Sequence, residues 1–244
     1  MHEYHNIRPE SRYGTPTADL LLFNRLYMVG YSYLFRQPRW AMQMIDDSTM
    51  ACPGEEFDRL DNFREDMRVP ELFRSTSADY DHSGYDRGHL INSADSKGSK
   101  IINSETFLLS NISPQKPNFN RQIWLTLENA VRDLANKEEV HEVYTVCGPL
   151  FRVGDPIEVI GENKVFVPDA YFKCILVEQA KPDTVNQLMM WAFRIPNTDV
   201  GDKTLADFLV KTQDVEKQAG LQIWNNLKGD KADTLKNKIE PMWE

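Results

Sequence analysis

Apolar positions recur at helical spacing over one stretch above all. From Arg121 to Asn136, the residues Trp124, Leu127, Val131 and Leu134 or Ala135 fall three to four apart, which lines one face of an α-helix. The stretch follows Pro114 and Pro117, and Asn118 or Asn120 is placed to cap its first turn. Elsewhere the pattern is that of strands. Val140 to Val146 and Lys164 to Val177 are β-branched and apolar, as expected for strands of a central sheet, and Met189-Met190-Trp191 reads as another buried strand. Tyr27 to Ile45 is rich in aromatics and predicts strands joined by a turn at Gln37-Pro38-Arg39, while Thr106 to Ile112 predicts a short strand. Lys203 to Leu227 predicts one or two helices broken at Gly220. The polar segments are a loop at 51–56 and the Ser-, Asp- and Gly-rich run from Ser75 to Gly88, which suits a loop or a sheet edge. The chain thus mixes α and β elements. No internal repeat and no Pro- or Ser-rich linker divides it, so one domain spanning 1–244 is expected.

Composition narrows this picture. The chain carries 28 Lys+Arg against 37 Asp+Glu, a formal net charge of −9, with 41% hydrophobic residues. Those fractions are ordinary for a soluble globular protein. No run of about 18 apolar residues is present, so no membrane span is expected. Leu20-Leu21-Leu22-Phe23 is interrupted at once by Asn24 and Arg25 and is too short for a signal sequence. Either the protein is not exported or a targeting segment is missing from this sequence. Cys52, Cys147 and Cys174 are odd in number and far apart, which fits buried thiols better than a disulfide framework or a metal knuckle.

The acid excess argues against a polyanionic partner until the cations are located. Residues 1–136 hold 15 Lys+Arg, of which 12 are arginines, and only Arg152 and Arg194 follow. Arginine is the planar, bidentate ligand suited to phosphate, so anion chemistry is sought in the first half. Pairing of those arginines with nearby carboxylates is the competing reading.

One stretch concentrates the chemistry. Tyr85-Asp86-Arg87-Gly88-His89 joins a group that titrates near neutrality to a phosphate clamp. Leu109-Ser110-Asn111-Ile112-Ser113-Pro114-Gln115 follows, and then Asn118-Phe119-Asn120-Arg121 running on through Trp124, Leu127 and Glu128. Amides, an arginine and a carboxylate are thereby gathered at the mouth of the expected helix, whose N-terminus favours an anion. His2, His5, His82 and His141 belong to no such cluster. Trp124, Trp191 and Trp224 are expected in the core and not as base-stacking platforms.

These motifs, in this order and spacing, resemble the DNA/RNA non-specific endonucleases, the endonuclease G-like branch of the ββα-metal nucleases. Asp86-Arg87-Gly88-His89 matches the family signature. Ser110-Asn111 to Pro114-Gln115, Asn120, Trp124, Leu127 and Glu128 follow in step, with Arg59 to Asp66 and Ser83-Gly84-Tyr85 upstream and Gly148-Pro149-Leu150 downstream. The close resemblance runs from Arg59 to Phe151, and a weaker one reaches Asp207-Phe208-Leu209-Val210. It implies an α+β fold with a mixed, mainly antiparallel central sheet flanked by helices. The catalytic core would occupy about 20–230 and a ββα-metal finger about 84–136.

The same resemblance assigns roles by position. His89 is similar to the general base that deprotonates water, and Asn120 to the single protein ligand of a catalytic Mg²⁺, for which Mn²⁺ can substitute. Glu128 matches the residue that holds the metal's water shell from outside, and Arg59, Arg87 and Arg132 match arginines on the scissile and flanking phosphates. Asn111 matches a second amide beside the site. Arg121 is left between a phosphate and a carboxylate partner, and Asp86 is expected to fix the loop that carries His89. The implied products bear 5′-phosphate and 3′-hydroxyl ends, from DNA and RNA alike, because the backbone is read and not the bases. The sequence departs from the family after the histidine, where Leu90-Ile91-Asn92-Ser93-Ala94-Asp95 replaces the usual small residues. The resemblance allows a homodimer and a protein inhibitor as partners, and it implies a secreted, periplasmic or organellar (mitochondrial) location. Two rival functions remain: a non-catalytic nucleic-acid-binding or regulatory member of the same fold, and a phosphodiesterase for small nucleotides.

Overall fold

The computed structural model describes residues 8–46, 57–96, 99–152, 154, 156–179 and 187–243. The expected loop at 51–56, with Cys52, and both His2 and His5 lie outside the described residues. In chain order the strands are β1 (Leu20–Phe23), β2 (Tyr27–Ser32), β3 (Gln37–Ile45), β4 (Asp86–His89), β5 (Ile112–Gln115), β6 (Val140–Leu150), β7 (Val159–Ile160), β8 (Val165–Phe166), β9 (Ala170–Gln179), β10 (Gln187–Pro196) and β11 (Leu209–Val210). The α-helices are α1 (Lys100–Thr106), α2 (Leu125–Ala135), α3 (Thr212–Ala219) and α4 (Asp230–Asn237).

Seven strands form one sheet in the order β1-β2-β3-β6-β9-β10-β11, and every neighbouring pair is antiparallel. The central strands β6 and β9 are buried on both faces, which explains their near-continuous apolar runs. Val143, Cys147, Ile175 and Val177 join one core, and Tyr144, Val146, Phe172, Cys174 and Leu176 join the other. The first face is covered by α2 through Leu127, Val131, Leu134 and Ala135. Val215 of α3 covers the second together with Leu221, Ile223 and Trp224. Trp124, Trp191 and Trp224 are all buried, as are Cys147 and Cys174. The α+β fold with a mainly antiparallel central sheet is therefore the observed one.

Several local expectations are corrected. The β2–β3 turn lies at 33–36, with Arg36 at φ 56°, and Pro38 sits inside β3 opposite Tyr31. A register shift after Gly30 irregularises the ladder at that point, which is where a residue without an N–H is tolerated. The strand expected over 106–112 begins only at Ile112. Helix α1 occupies the residues up to Thr106, with the Ser99 side chain accepting from the Ile102 N–H, and a 3-10 turn takes 109–111. The strand expected over 164–177 is split at Val167-Pro168-Asp169 into β8 and β9. The helix expected over 203–227 is confined to α3, preceded by a 3-10 turn and β11 and ended by Gly220 in the left-handed region. The helix expected over 121–136 starts earlier, as a π-helix at Phe119–Trp124 that runs on into α2. Neither Asn118 nor Asn120 caps it. Asn118 already has helical φ and ψ, and both amides bond carboxylates outside the helix.

Gly148 shows how tightly β3 and β6 approach. A Cβ at that position would lie 2.4 Å from the Arg39 carbonyl oxygen and 3.0 Å from the Phe172 ring. Neither neighbour can withdraw, since both belong to buried strands. Gly148→Ala should therefore cost about 1–3 kcal/mol of stability, read as a lower urea midpoint at unchanged slope. An unchanged midpoint would mean that the two strands can separate without penalty.

Candidate active site

Strands β4 and β5 pair antiparallel, with Asp86 opposite Gln115, Arg87 opposite Pro114, Gly88 opposite Ser113 and His89 opposite Ile112. Gly88 is required here, because a Cβ would lie 2.1 Å from the Gln115 side-chain oxygen. The π-helical turn and α2 follow β5 directly, so the unit has the order ββα. Its apolar underside, Tyr80, Tyr85, Leu109 and Ile112, packs on Ile160, Val165 and Val167 of β7, β8 and the residue after it.

His89 ends β4 against a pair of aromatic rings, with Phe63 5.5 Å and Phe107 4.9 Å away, centroid to centroid. The Arg59 guanidinium lies 5.2 Å over the same Phe107 ring. Burial, reinforced by the charge of Arg59, pushes the imidazole pKa down to about 3. His89 is thus neutral at physiological pH. Its Nε2 is buried without a hydrogen-bond partner among the described residues.

Asp86, three residues earlier on the same strand, reaches across to the helix. Its Oδ2 accepts from Asn120 Nδ2 at 2.9 Å, and Arg121 closes on it with two further bonds at 2.9 and 2.7 Å. With Nδ2 committed to Asp86, the oxygen Oδ1 is the Asn120 atom left to bind a cation. Arg121, largely exposed, pairs with the Asp86 carboxylate in this structure. Two turns further on, the Glu128 carboxylate accepts from Asn92 Nδ2 at 2.8 Å. Burial pushes its pKa up to about 7, with Lys173 and Arg132 opposing and Asp95 adding. Arg132 is itself tied to Asp95 by Nε and Nη2 at 3.0 and 2.9 Å. Arg87 bonds Asp81 and the Ser77 carbonyl and lies 5.6 Å from the Phe63 ring.

His89, Arg59, Arg87, Asn120, Arg121, Glu128 and Arg132 are thus placed on β4, on the helix, or against their rings and partners. Asn111 is a correction. It is fully enclosed, its Oδ1 accepts from the Ile91 N–H, and its Nδ2 donates to the carbonyls of Ile91 and Thr106. No polar atom of that side chain remains for a substrate; it knits the segment after His89 to the end of α1. That segment also supplies two residues not singled out from the motifs, Asn92 and Asp95, the partners of Glu128 and Arg132; their trace in the sequence was the departure Leu90 to Asp95. Phe63, inside the matched stretch Arg59 to Asp66, and Phe107 lie against the imidazole. His82 and His141 are exposed and stand apart from the cluster.

A neutral imidazole, a carboxamide oriented by Asp86 and a half-buried carboxylate near Arg132 thus lie on one ββα unit. Comparison with known proteins identifies its family. Residues 8–230 match the family described as DNA/RNA non-specific endonuclease. The chain is 37% identical to Nuclease C1 of Cunninghamella echinulata var. echinulata, covering 88% of this chain and 87% of that one, and 32% identical to human mitochondrial endonuclease G, covering 89% and 73%. It superposes on EndoG from a crystal structure of the EndoG/EndoGI complex with a TM-score of 0.82 at 32% identity, covering 89% and 91%. The chain belongs to the DNA/RNA non-specific endonuclease family, and it is a nuclease.

Two outcomes follow from this geometry. Asn111→Ala should lower stability by about 1–3 kcal/mol, because it strands three buried backbone groups. Cleavage per folded molecule should be retained well below the melting temperature, and a selective loss of cleavage would restore Asn111 to the substrate. The second concerns pH. The unfolded chain takes up a proton at His89 near pH 6.5 that the folded protein accepts only near 3. Stability linked to this group is therefore present above pH 6.5 and lost as pH falls toward 3. Urea unfolding in chelator should show His89→Gln losing less stability than wild type over that window. Equal losses would contradict the depressed pKa.

Proposed function

We propose that the chain is a Mg²⁺-dependent, sugar-non-specific endonuclease in which His89 is the general base. The observation that carries this reading is that one four-residue strand holds both halves of the chemistry. Its last residue presents a neutral imidazole, and its first residue orients Asn120. A base must be deprotonated before it can act, and burial beside Arg59 keeps His89 so.

The donor set fits a hard divalent cation that keeps most of its water. Asn120 offers one amide oxygen, and among the described residues no three His, Cys, Asp or Glu side chains converge on a point where they could hold an ion. Asn120 would hold the metal directly, and Glu128, steadied by Asn92, would bind its water shell from outside. When bound, the cation neutralises charge on the phosphate and acts as a Lewis acid toward it. The protein groups do the rest. His89 takes the proton of the attacking water, and Arg59 places its charge on the non-bridging oxygens as the transition state forms. Arg87 and Arg132, held by Asp81 and Asp95, flank the path of the strand. Because these contacts address phosphate and not bases, both DNA and RNA are substrates. The water oxygen bonds phosphorus as the P–O3′ bond breaks and O3′ takes a proton from solvent, which leaves the 5′-phosphate and 3′-hydroxyl ends that the family resemblance implies.

The relatives guide the cellular reading. Human endonuclease G is mitochondrial by name, and the solved neighbour is EndoG in complex with EndoGI. We infer an organellar location and a protein inhibitor as a partner.

Digestion of plasmid and total RNA with Mg²⁺, and again with EDTA, tests the proposal. Wild type should cleave both polymers and stop in chelator, and His89→Ala should be slower by about 10²–10⁴. Equal rates for the two proteins, or digestion that persists in EDTA, would remove His89 or the metal from the mechanism. Activity confined to mononucleotide esters would assign a different substrate.

A further inference from the structure

The central strand β9 carries a lysine among apolar neighbours. Lys173 lies between Phe172 and Cys174, is 4% exposed, and stands opposite Cys147 of β6 and Phe193 of β10. It is the one lysine in the buried set among the described residues. Strand alternation puts it on the face of Tyr171 and Ile175, the face that α2 covers. Its ammonium sits 4.9 Å from the centre of the Trp124 ring, and no ion pair within 4.0 Å among the described residues includes it.

An ammonium in such a place calls for an anion close by. Trp124 and Glu128 are four residues apart and so lie one above the other on the helix. The Trp124 indole N–H is buried and has no hydrogen-bond acceptor among the described residues. Asp95 is already occupied by Arg132 and Gln43. Glu128, one turn beyond Trp124 on the same face of the helix, is the carboxylate left for the ammonium under that ring. The lysine is also too enclosed to meet a nucleic-acid strand.

We propose that Lys173 is a positioning residue whose buried ammonium, set beneath Trp124, is the countercharge that seats the Glu128 carboxylate for its part at the metal. The proposal rests on the reading of Glu128 as an outer-sphere partner of the cation. It assigns to the far side of the sheet a task that the motif residues do not cover, since Asn92 supplies a neutral hydrogen bond and Arg132 is spent on Asp95.

The test is a double-mutant cycle on the full chain, with Lys173→Met and Glu128→Gln singly and together and Lys173→Arg as the charge-retaining variant. Calorimetric binding of Mn²⁺ to the substrate-free protein is read beside the Mg²⁺ concentration that half-saturates cleavage. Lys173→Met should weaken Mn²⁺ binding about 10-fold or more, Lys173→Arg should recover most of it, and in the Glu128→Gln background the added Lys173→Met change should be under about 2-fold. Circular dichroism and thermal unfolding identify variants that fail to fold, and Lys173→Gln, which keeps hydrogen-bond donors without the charge, replaces Lys173→Met in that case. Equal effects of the lysine change in both backgrounds, or no effect in a folded protein, would overturn the proposal. A wild type that binds no Mn²⁺ and cleaves in EDTA would remove the metal reading itself and the lysine's role with it. A wild type that binds Mn²⁺ while the variants match it would sink the lysine alone.

Discussion

The site depends on one bond across the ββα unit, the acceptance by Asp86 of the Asn120 side-chain N–H. Strand β4 and the helix are far apart in sequence and are joined through β5, so nothing local fixes their relative position. The packing of Leu127 and Val131 against the sheet sets where the helix lies. The Asp86 carboxylate then decides which atom of Asn120 faces outward, and Arg121 closes over it and neutralises its charge. Because Asp86 and His89 are ends of one short strand, the same backbone that aims the amide also places the imidazole. Orientation of the two is coupled by covalent geometry and does not have to be maintained by separate contacts.

The arginines show a second economy. Arg68, Arg87, Arg121 and Arg132 are each held by a carboxylate, at Asp66, Asp81, Asp86 and Asp95. Arg59 is the exception in kind. Among the described residues its carboxylate partner is Asp61, 3.5 Å away, and both groups are largely exposed, a pairing that water screens to little value. Arg59 is therefore the guanidinium most free to move onto a phosphate, while the others are braced in fixed directions. This explains how a chain of net charge −9 can serve an anionic substrate. The acid excess is partly the set of carboxylates that orient its cations, and long-range attraction is replaced by local geometry.

Burial divides the polar groups of the site into two kinds. Asn111 and Asn120 look alike in the sequence, since both are amides of the same motif block. Asn111 has all its polar atoms bonded inside and serves the fold, whereas Asn120 has its nitrogen bonded and its oxygen left over. Glu128 and Asp95 divide similarly. Asp95 is matched by an arginine at hydrogen-bond distance, whereas Glu128 accepts a hydrogen bond from the neutral Asn92 amide. Asn111 is fully paired inside the fold, whereas Asn120 and Glu128 are only half-buried.

The sequence by itself determined a good deal. Helical spacing from Trp124 to Ala135, the near-continuous apolar runs of β6 and β9, and the spaced motif from Asp86 to Glu128 are each properties of a short window, where period and order are legible. They sufficed for the fold class and for the family. The turn before Pro38, the helix α1 and the division of the segment after Lys203 escaped, because a bulge, a side-chain cap and an added edge strand override local propensity. Tertiary structure alone decided which amide is spent and which is free, that Arg121 meets Asp86, and that Asn92, Phe63, Phe107 and Lys173 surround the site. Those facts depend on which distant residues share a low-dielectric volume, and separation along the chain carries no record of it.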